Sequence, residues 1–338
     1  MRIFKESDLK TFEQLASLSQ SSLKRVLASF LKRHYSKVIN TKDYIIAEGD
    51  IPVALTAHMD TVFSTPPVDI FYDPKKNVVW SPNGLGADDR AGVFAIIQII
   101  RSGLKPHIIF TTDEEVGGKG AAEVAKLDCP FKDLKYIIEL DRRGSNDCVF
   151  YDCENQEFND YVETFGFEWN FGSYSDICEF CPAWEIAGVN LSIGYRDEHS
   201  VSEVLFVGQM FSTIEKVKKM LADAANLTQP FKYIPSPWAY KYNYNSSWYD
   251  FGNSVYGHGV DKCFGCGKYF MEEELFPAVM LDGTTKFYCP DCLVDGVSWC
   301  IECGSAFQKY SPEAPNSGVC PKCQELKEKK NVANRKNK

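Results

Sequence analysis

Short apolar runs alternate with amphipathic stretches along the first two thirds of the chain. The runs are rich in Ile, Val and Phe, and six of them, between residues 51 and 194, read IPVALTAH, NVVW, HIIFTT, KYIIEL, CVFY and VNLSIG. Runs of this length and β-branched content, bounded by turn residues, predict buried β-strands.

Helical periodicity occupies several of the intervals around these runs. Apolar residues recur three and four positions apart over residues 8–34, 90–102, 119–126 and 203–225. In the last stretch we expect one apolar face to pack on a sheet, and its members are Val207, Met210, Phe211, Ile214, Val217 and Leu221. Strands that alternate with helices predict an α/β fold, here a three-layer sandwich with a central mixed, mostly parallel sheet flanked by helices.

The composition changes near residue 227 and divides the chain into four predicted parts. Residues 1–226 form the predicted catalytic domain, with no inserted lid domain. Residues 227–260 contain ten aromatic residues, several prolines and no periodicity, which indicates a linker lying on a surface. Residues 261–325 form a small cysteine-rich domain stabilised by zinc, and the charged residues 326–338 are typical of a disordered tail.

Charge and apolar run length exclude some classes of protein. The net charge of −9 disfavours a general nucleic-acid binder, because phosphate binding depends on Lys and Arg. The amino-terminal MRIFKESDLK does not resemble a signal peptide, and the longest apolar run, VFAIIQII, is too short to cross a bilayer. We therefore expect a cytoplasmic protein without membrane association, in which the 13 cysteines serve metal binding rather than disulfides.

Polar residues recur where the predicted strands end, or shortly after. Taken singly, an Asp after a strand is typical of a turn or helix cap, and lone histidines such as His107 and His258 suggest no role. Together, two imidazoles and several carboxylates would equip a two-metal hydrolytic site for zinc, with cobalt and manganese as alternatives. A second Glu beside a ligand Glu could act as the base. The residues concerned are His58, Asp60, Asp88, Asp113, Glu114, Glu115, Asp141 and His199.

Five motifs carry a family resemblance. HMD, GADDRAG, TTDEEVGGKGA, ELD and GYRDEHS, in this order, resemble those of the co-catalytic dinuclear metallo-exopeptidases, which include aminopeptidases and the related tripeptidase and deacylase branches. The resemblance covers roughly residues 50–222. It implies a metal-dependent hydrolase of peptide bonds that uses a metal-activated water.

The resemblance also implies a role for each matching residue. His58 and Asp141 would be terminal ligands of one metal, Glu115 and His199 terminal ligands of the second, and Asp88 the bridge between them.

The bridge is assigned to Asp88 rather than Asp89 because, in the family pattern, a basic residue follows the bridging Asp by two positions, as Arg90 does here. Asp89 remains the alternative. By the same resemblance Glu114 would be the general base and Asp60 would orient His58. Tyr195 would either bind the oxyanion or be structural.

Spacing favours one branch of this family. Only 57 residues separate Asp141 from His199, too few for an inserted lid domain on the order of 100 residues. The leading interpretation is therefore an aminopeptidase acting on peptides. The alternatives are a deacylase of N-acyl amino acids and, from another class, a non-catalytic adaptor that works through the cysteine-rich domain.

Four Cys-x-x-Cys pairs in the carboxyl-terminal region predict two structural zinc ions. They are Cys263 and Cys266, Cys289 and Cys292, Cys300 and Cys303, and Cys320 and Cys323. Sequential and cross-braced pairings both fit the spacing. The layout resembles zinc ribbons or LIM domains, which implies a protein partner. From residue 261 onward eleven basic residues balance eleven acidic ones, which disfavours nucleic acid.

A fifth pair, Cys178 and Cys181, lies in the predicted catalytic domain, downstream of Cys148 and Cys153. Buried free thiols are the favoured interpretation, and a third zinc site is the alternative.

Overall fold

The computed structural model describes residues 2–236 without a break. Beyond them it describes residues 260–266, 268–271, 275–280, 285–290, 292–293, 297–300, 306–308 and 323. The chain divides into two units, Met1–Lys241 and Tyr242–Lys338. Over the described residues, the apolar helices all fall short of what a membrane crossing requires.

The first unit contains twelve described strands and seven described α-helices. The strands are β1 Lys37–Asn40, β2 Tyr44–Glu48, β3 Ile51–His58, β4 Phe71–Asp73, β5 Val78–Trp80, β6 Pro106–Thr111, β7 Tyr136–Arg142, β8 Asp147–Val149, β9 Glu168–Trp169, β10 Gly188–Ser192, β11 Tyr195–Arg196 and β12 Val204–Phe206. The helices are α1 Glu6–Ala16, α2 Gln20–His34, α3 Ala87–Arg101, α4 Lys119–Ala125, α5 Gln156–Glu163, α6 Ile177–Trp184 and α7 Val207–Asp223.

Eight strands form the main sheet in the order β1-β2-β6-β3-β7-β10-β8-β9. The four central strands, β6, β3, β7 and β10, run parallel to one another. The outer pairs β1 with β2, β2 with β6, and β8 with β10 are antiparallel. A smaller sheet has the order β11-β12-β5-β4. The predicted α/β fold with a central mixed, mostly parallel sheet between helices is confirmed.

Alternation along the central strands produces two apolar layers, because successive strand residues point to opposite faces. One layer joins the sheet to α3 and α7 through Leu55, Phe94, Ile108, Ile138 and Ile214. The other joins it to α4 and α6 through Ala54, Ile109, Val124, Ile137 and Phe180. The predicted apolar face of residues 207–221 is buried in full.

Two predicted helices differ from those observed. The stretch 8–34 is two helices rather than one, because the Ser19 hydroxyl accepts a hydrogen bond from the Ser22 N–H at 3.4 Å and so begins a new helix. The stretch 203–225 opens with β12 and becomes helical only at Val207.

Residues 227–236, the start of the predicted linker, lie against the first unit. The Phe231 carbonyl accepts from the Ala187 N–H at 2.9 Å, and the Ile234 carbonyl accepts from the Glu154 N–H at 2.7 Å. Residues 237–259 of the predicted linker and the predicted tail fall outside the described residues, so these domain boundaries stay predictions.

The second unit has three described hairpins. Their strands are β13 Val260–Lys262, β14 Tyr269–Met271, β15 Phe276–Val279, β16 Thr285–Tyr288, β17 Val297–Trp299 and β18 Ala306–Gln308. The buried cluster described there is small and consists of Cys263, Leu275, Ala278, Tyr288, Cys289 and Val297.

Candidate metal centres

The sheet topology collects the predicted ligands at one edge. Strand β3 ends at His58, β7 carries Asp141 near its end, and β6 ends three residues before Glu114. These strands are parallel neighbours, so their carboxyl ends meet at the same edge of the sheet. His199 reaches the same place on the connection from β11 to β12.

Asp88 lies between the two imidazoles. Its Oδ1 is 2.9 Å from His58 Nε2, and its Oδ2 is 3.1 Å from His199 Nε2. The two carboxylate oxygens therefore face different histidines, which is the arrangement a bridging ligand requires.

A further carboxylate completes each side of Asp88. Asp141 Oδ1 lies 3.4 Å from His58 Nε2, and Glu115 Oε2 lies 3.1 Å from His199 Nε2. Within each of the two triplets, His58 with Asp88 and Asp141, and Asp88 with Glu115 and His199, the candidate ligand atoms lie within 4.8 Å of one another. The imidazole and carboxylate donors suit zinc, manganese or cobalt.

Asp60 lies behind this centre and contacts both of its halves. Its Oδ1 is 3.2 Å from His58 Nδ1, so the carboxylate can fix the imidazole's orientation. Its oxygens also accept from the backbone N–H groups of Glu114 at 3.1 Å and Glu115 at 3.0 Å. The second pair of contacts was not predicted.

Asp141 is surrounded by hydroxyl donors. The Tyr195 hydroxyl donates to Asp141 Oδ1 at 3.1 Å, and the Ser175 hydroxyl donates to Oδ2 at 3.2 Å. The Asn190 side chain donates to the Asp141 carbonyl at 2.8 Å. Tyr195 thus lies at the site, with its hydroxyl directed to a candidate ligand.

Asp89 differs from Asp88 in its contacts. It is fully buried, and its Oδ1 accepts from the Gly92 N–H at 2.9 Å in the first turn of α3. The metal-ligand groups found among the described residues do not include it. The geometry therefore favours Asp88 over Asp89 as the bridge.

The carboxylates around the two imidazoles shift the pKa values of both rings. Burial opposes charge on His58, but Asp141, Asp60 and Asp88 raise its pKa well above 6.5. Hydrogen bonds with Asp88 and Glu115 raise the pKa of His199 to about 11. This concentration of carboxylates around two imidazoles suits divalent cations, which would bind the imidazoles in their unprotonated form.

Glu114 lies against the same centre and could share a cation with His58 and Glu115. Burial raises the pKa of its carboxyl to about 9; Asp141 adds to the rise and His58 opposes it. At neutral pH Glu114 is therefore neutral unless positive charge is added nearby. The Glu115 Oε1 atom is buried without a hydrogen-bond partner among the described residues, which fits a role for Glu115 as a metal ligand.

Glu203 was not predicted. It is 1% exposed, and its two oxygens accept from the N–H groups of Gly86 at 2.5 Å and Asp88 at 3.0 Å. Burial raises the pKa of Glu203 to about 7, opposed by these N–H donors. Glu203 fixes the backbone that presents Asp88, and its place four residues after His199 is the only signal in the sequence.

A second group of ligands lies in the other unit. Cys263, Cys266, Cys289 and Cys292 have sulfur atoms within 4.8 Å of one another, as a four-cysteine zinc site requires. The Cys289 N–H donates to the Cys263 sulfur at 3.2 Å. Partial burial opposes the thiolate, but N–H groups of Cys266, Cys289 and Gly265 lower the pKa of Cys263 to about 6.

Gly265 permits this geometry. A Cβ there would lie 2.7 Å from Cys292 Cβ and 2.9 Å from its sulfur, so only glycine fits the turn. The described cysteines thus bring the first two predicted pairs together. Cys303 and Cys320 lie outside the described residues, so the second zinc site stays a prediction.

The fifth cysteine pair forms no metal group among the described residues. Cys178 and Cys181, together with Cys153, line a small cavity beside Tyr151 and Tyr233. Burial raises the pKa values of the Cys178 and Cys181 thiols well above 9, so both are protonated thiols at neutral pH. The geometry favours free thiols over a third zinc.

Part of the chain is similar in sequence to a family of peptidases. The model of Peptidase family M28 matches residues 40–173, a segment that contains all the candidate ligands of the first unit except His199. Comparison with curated proteins gives no match.

Solved structures share the fold. A tripeptidase from Staphylococcus aureus is 15% identical with a TM-score of 0.55, covering 67% of this chain and 100% of that one. The aminopeptidase PepT from Bacillus cereus is 15% identical with a TM-score of 0.52, covering 66% and 99%. A TET aminopeptidase from a marine-sediment thaumarchaeote is 14% identical with a TM-score of 0.51, covering 64% and 97%. The fold and the family match support a metal-dependent peptidase.

Proposed function

We propose that the chain is a two-metal aminopeptidase. The observation that carries this proposal is the position of Asp88, whose two carboxylate oxygens lie 2.9 and 3.1 Å from the imidazoles of His58 and His199. A carboxylate shared between two ligand sets is the feature that separates a two-metal centre from a single-metal one.

The residues present fit a pair of divalent cations. His58 and Asp141 would hold one with Asp88, and Glu115 and His199 would hold the other. Zinc is the first choice, with cobalt and manganese as alternatives. When bound, the metals would acidify a water molecule and polarise the substrate carbonyl.

The surrounding side chains supply the rest of the chemistry. Glu114 takes the proton from the attacking water and returns it to the leaving amine. Asp60 holds the His58 ring and the two N–H groups of Glu114 and Glu115 in place. The Tyr195 hydroxyl bonds to Asp141, which supports a positioning role for Tyr195 rather than a role as the oxyanion donor.

The second unit is proposed to hold structural zinc and to bind a protein partner. The convergence of Cys263, Cys266, Cys289 and Cys292 supports the zinc. The partner rests on the resemblance to zinc ribbons and LIM domains.

The test is mass spectrometry of a mixed peptide library incubated with the metal-loaded full chain. Stepwise loss of amino-terminal residues is expected with the wild type and with Glu157→Gln, an exposed control on α5. Glu114→Gln should retain its metals and lose about 10²-fold to 10⁴-fold in turnover.

Unchanged turnover by Glu114→Gln would overturn the assignment of the base. An untouched peptide library with release of N-acyl groups from acylated amino acids would replace the aminopeptidase with a deacylase. If the wild type hydrolyses neither substrate, the non-catalytic adaptor becomes the favoured interpretation.

A further inference from the structure

Helix α2 reaches the candidate catalytic turn through one side chain. Gln20, the first residue of α2, donates from Nε2 to Asp113 Oδ1 at 2.9 Å. Its Oε1 accepts from the Asp113 backbone N–H at 3.0 Å. Both the nitrogen and the oxygen of the Gln20 amide are therefore hydrogen-bonded to Asp113, the residue before Glu114.

Asp113 needs such support. Its φ is 59°, in the left-handed region that non-glycine residues rarely adopt. Asp60 binds the next two backbone N–H groups, those of Glu114 and Glu115. Three successive N–H groups of this turn are thus held by two side chains, Gln20 and Asp60.

The connection between α1 and α2 also contacts a side chain that supports the segment of His58 and Asp60. Buried Arg90 donates to the Leu18 carbonyl at 2.9 Å, in the connection between α1 and α2. Arg90 also donates to the carbonyl of Met59, which lies between His58 and Asp60. The α1–α2 connection is therefore linked through the Arg90 side chain to the backbone between His58 and Asp60, although it lies outside residues 40–173 that match the family model.

We infer that Gln20 is a positioning residue that sets the backbone of Asp113, Glu114 and Glu115. This inference rests on the proposed function, because it assigns Glu114 as the base and Glu115 as a ligand. Removing the amide frees the Asp113 N–H and allows the turn to relax, which displaces both carboxylates from the positions that chemistry and metal binding need. The competing explanation is that Gln20 only fastens α2 to the sheet and contributes to stability.

The variants separate these explanations. Gln20→Ala removes both hydrogen bonds. Gln20→Glu keeps an acceptor for the Asp113 N–H but sets two carboxylates against each other. Adding Asp113→Asn restores a donor opposite the new carboxylate. Gln14→Ala, the same truncation at an exposed position of α1, is the matched control.

Each variant is measured as the full chain for kcat and KM on a peptide, for zinc affinity by calorimetry, and for melting temperature. We expect Gln20→Ala and Gln20→Glu to lower kcat about tenfold with KM changed less than about twofold, and to weaken zinc binding about tenfold, since outer-shell partners act on this scale. The double variant Gln20→Glu with Asp113→Asn should recover kcat to within about threefold of the wild type.

The inference is overturned if Gln20→Ala matches Gln14→Ala in both kcat and zinc affinity. It is also overturned if the loss of kcat disappears when each protein is assayed at the same interval below its melting temperature. If the wild type hydrolyses no peptide, the proposed function fails, and the zinc affinities still decide whether Gln20 positions the ligands.

Discussion

The two candidate metal sites are built in opposite ways. The ligands of the first unit come from positions 58 to 199 and meet because parallel strands end side by side. The four cysteines of the second unit come from two short turns within residues 263–292. The first site depends on a whole sheet, and the second depends on two local turns.

The hydrophobic cores around the two sites also differ, in size and in whether they contain candidate ligands. The candidate ligands of the first unit rest on two extensive apolar layers that include none of those ligands. In the second unit the described core has six members, and two of them, Cys263 and Cys289, are candidate ligands. Under the proposed function, metal would serve chemistry in the first unit and folding in the second.

The largest expected effect is on the second unit. Cys289→Ser should release its zinc and with it most of the folding free energy of that unit, because structural zinc contributes about 10–16 kcal/mol of apparent binding free energy. Elemental analysis and hydrogen exchange of the full chain measure this, with unchanged kcat expected in the first unit. Cys129→Ser, a thiol in the first unit, is the control. Undiminished zinc content would show that the cysteines hold none.

The next effect tests the bridge. An amide at position 88 cannot serve two cations with two anionic oxygens, so Asp88→Asn should lower kcat/KM by about 10³-fold and weaken binding of both metals. Steady-state kinetics and metal titration provide the readouts, and exposed Asp69→Asn is the control. Loss of one metal alone would contradict a shared ligand.

A smaller effect is expected from the support of that bridge. Glu203→Gln places an NH₂ group where the Gly86 or Asp88 N–H now finds an oxygen, leaving a buried donor unpaired at a cost of about 1–3 kcal/mol. We expect kcat to fall about thirtyfold with both metals retained, since the change acts through Asp88. Glu157→Gln, at an exposed position, should be silent in the same assay. Full activity of Glu203→Gln would show that the turn holds without this contact.

The smallest effect concerns the folding stability of the first unit after treatment with a chelator. His107 is buried, its Nδ1 accepts from the Gly49 N–H at 3.0 Å, and burial lowers its pKa to about 4. The unfolded chain takes up this proton near pH 6.5 and the folded chain does not, so stability is lost as the pH falls from 6.5 towards 4. Between pH 7 and pH 5 this amounts to about 2 kcal/mol.

Urea unfolding of the chelator-treated full chain at both pH values measures this change. His107→Gln should flatten the difference, because its amide oxygen can accept the same hydrogen bond without titrating. An equal loss in both proteins would assign the acid sensitivity to other groups, and absence of a cooperative transition would break the contrast between the two units.

Local sequence pattern was enough to select the candidate ligands, because each follows a feature visible along the chain. His58 ends an apolar run, Asp141 follows KYIIEL, and the cysteines stand in pairs. The residues that hold the backbone behind the candidate ligands follow no such feature. Glu203 contacts Gly86 across 117 positions and Gln20 contacts Asp113 across 93, distances over which periodicity carries no information. The break between α1 and α2 was not predicted, because the apolar spacing continues through Ser17–Ser19. The Ser19 side chain nevertheless caps the start of a new helix there.

By itself the sequence determined the alternation of strands and helices, the residue types at the strand ends and the cysteine pairs, because these depend on neighbours a few positions away. Only the tertiary structure decided that Asp88 and not Asp89 faces both histidines, that Tyr195 bonds to Asp141, and that Glu203 and Gln20 hold the backbone behind the ligands. The physical reason is the order of the sheet: parallel strands bring distant loops to one edge, and side-chain contacts are settled only when those loops meet.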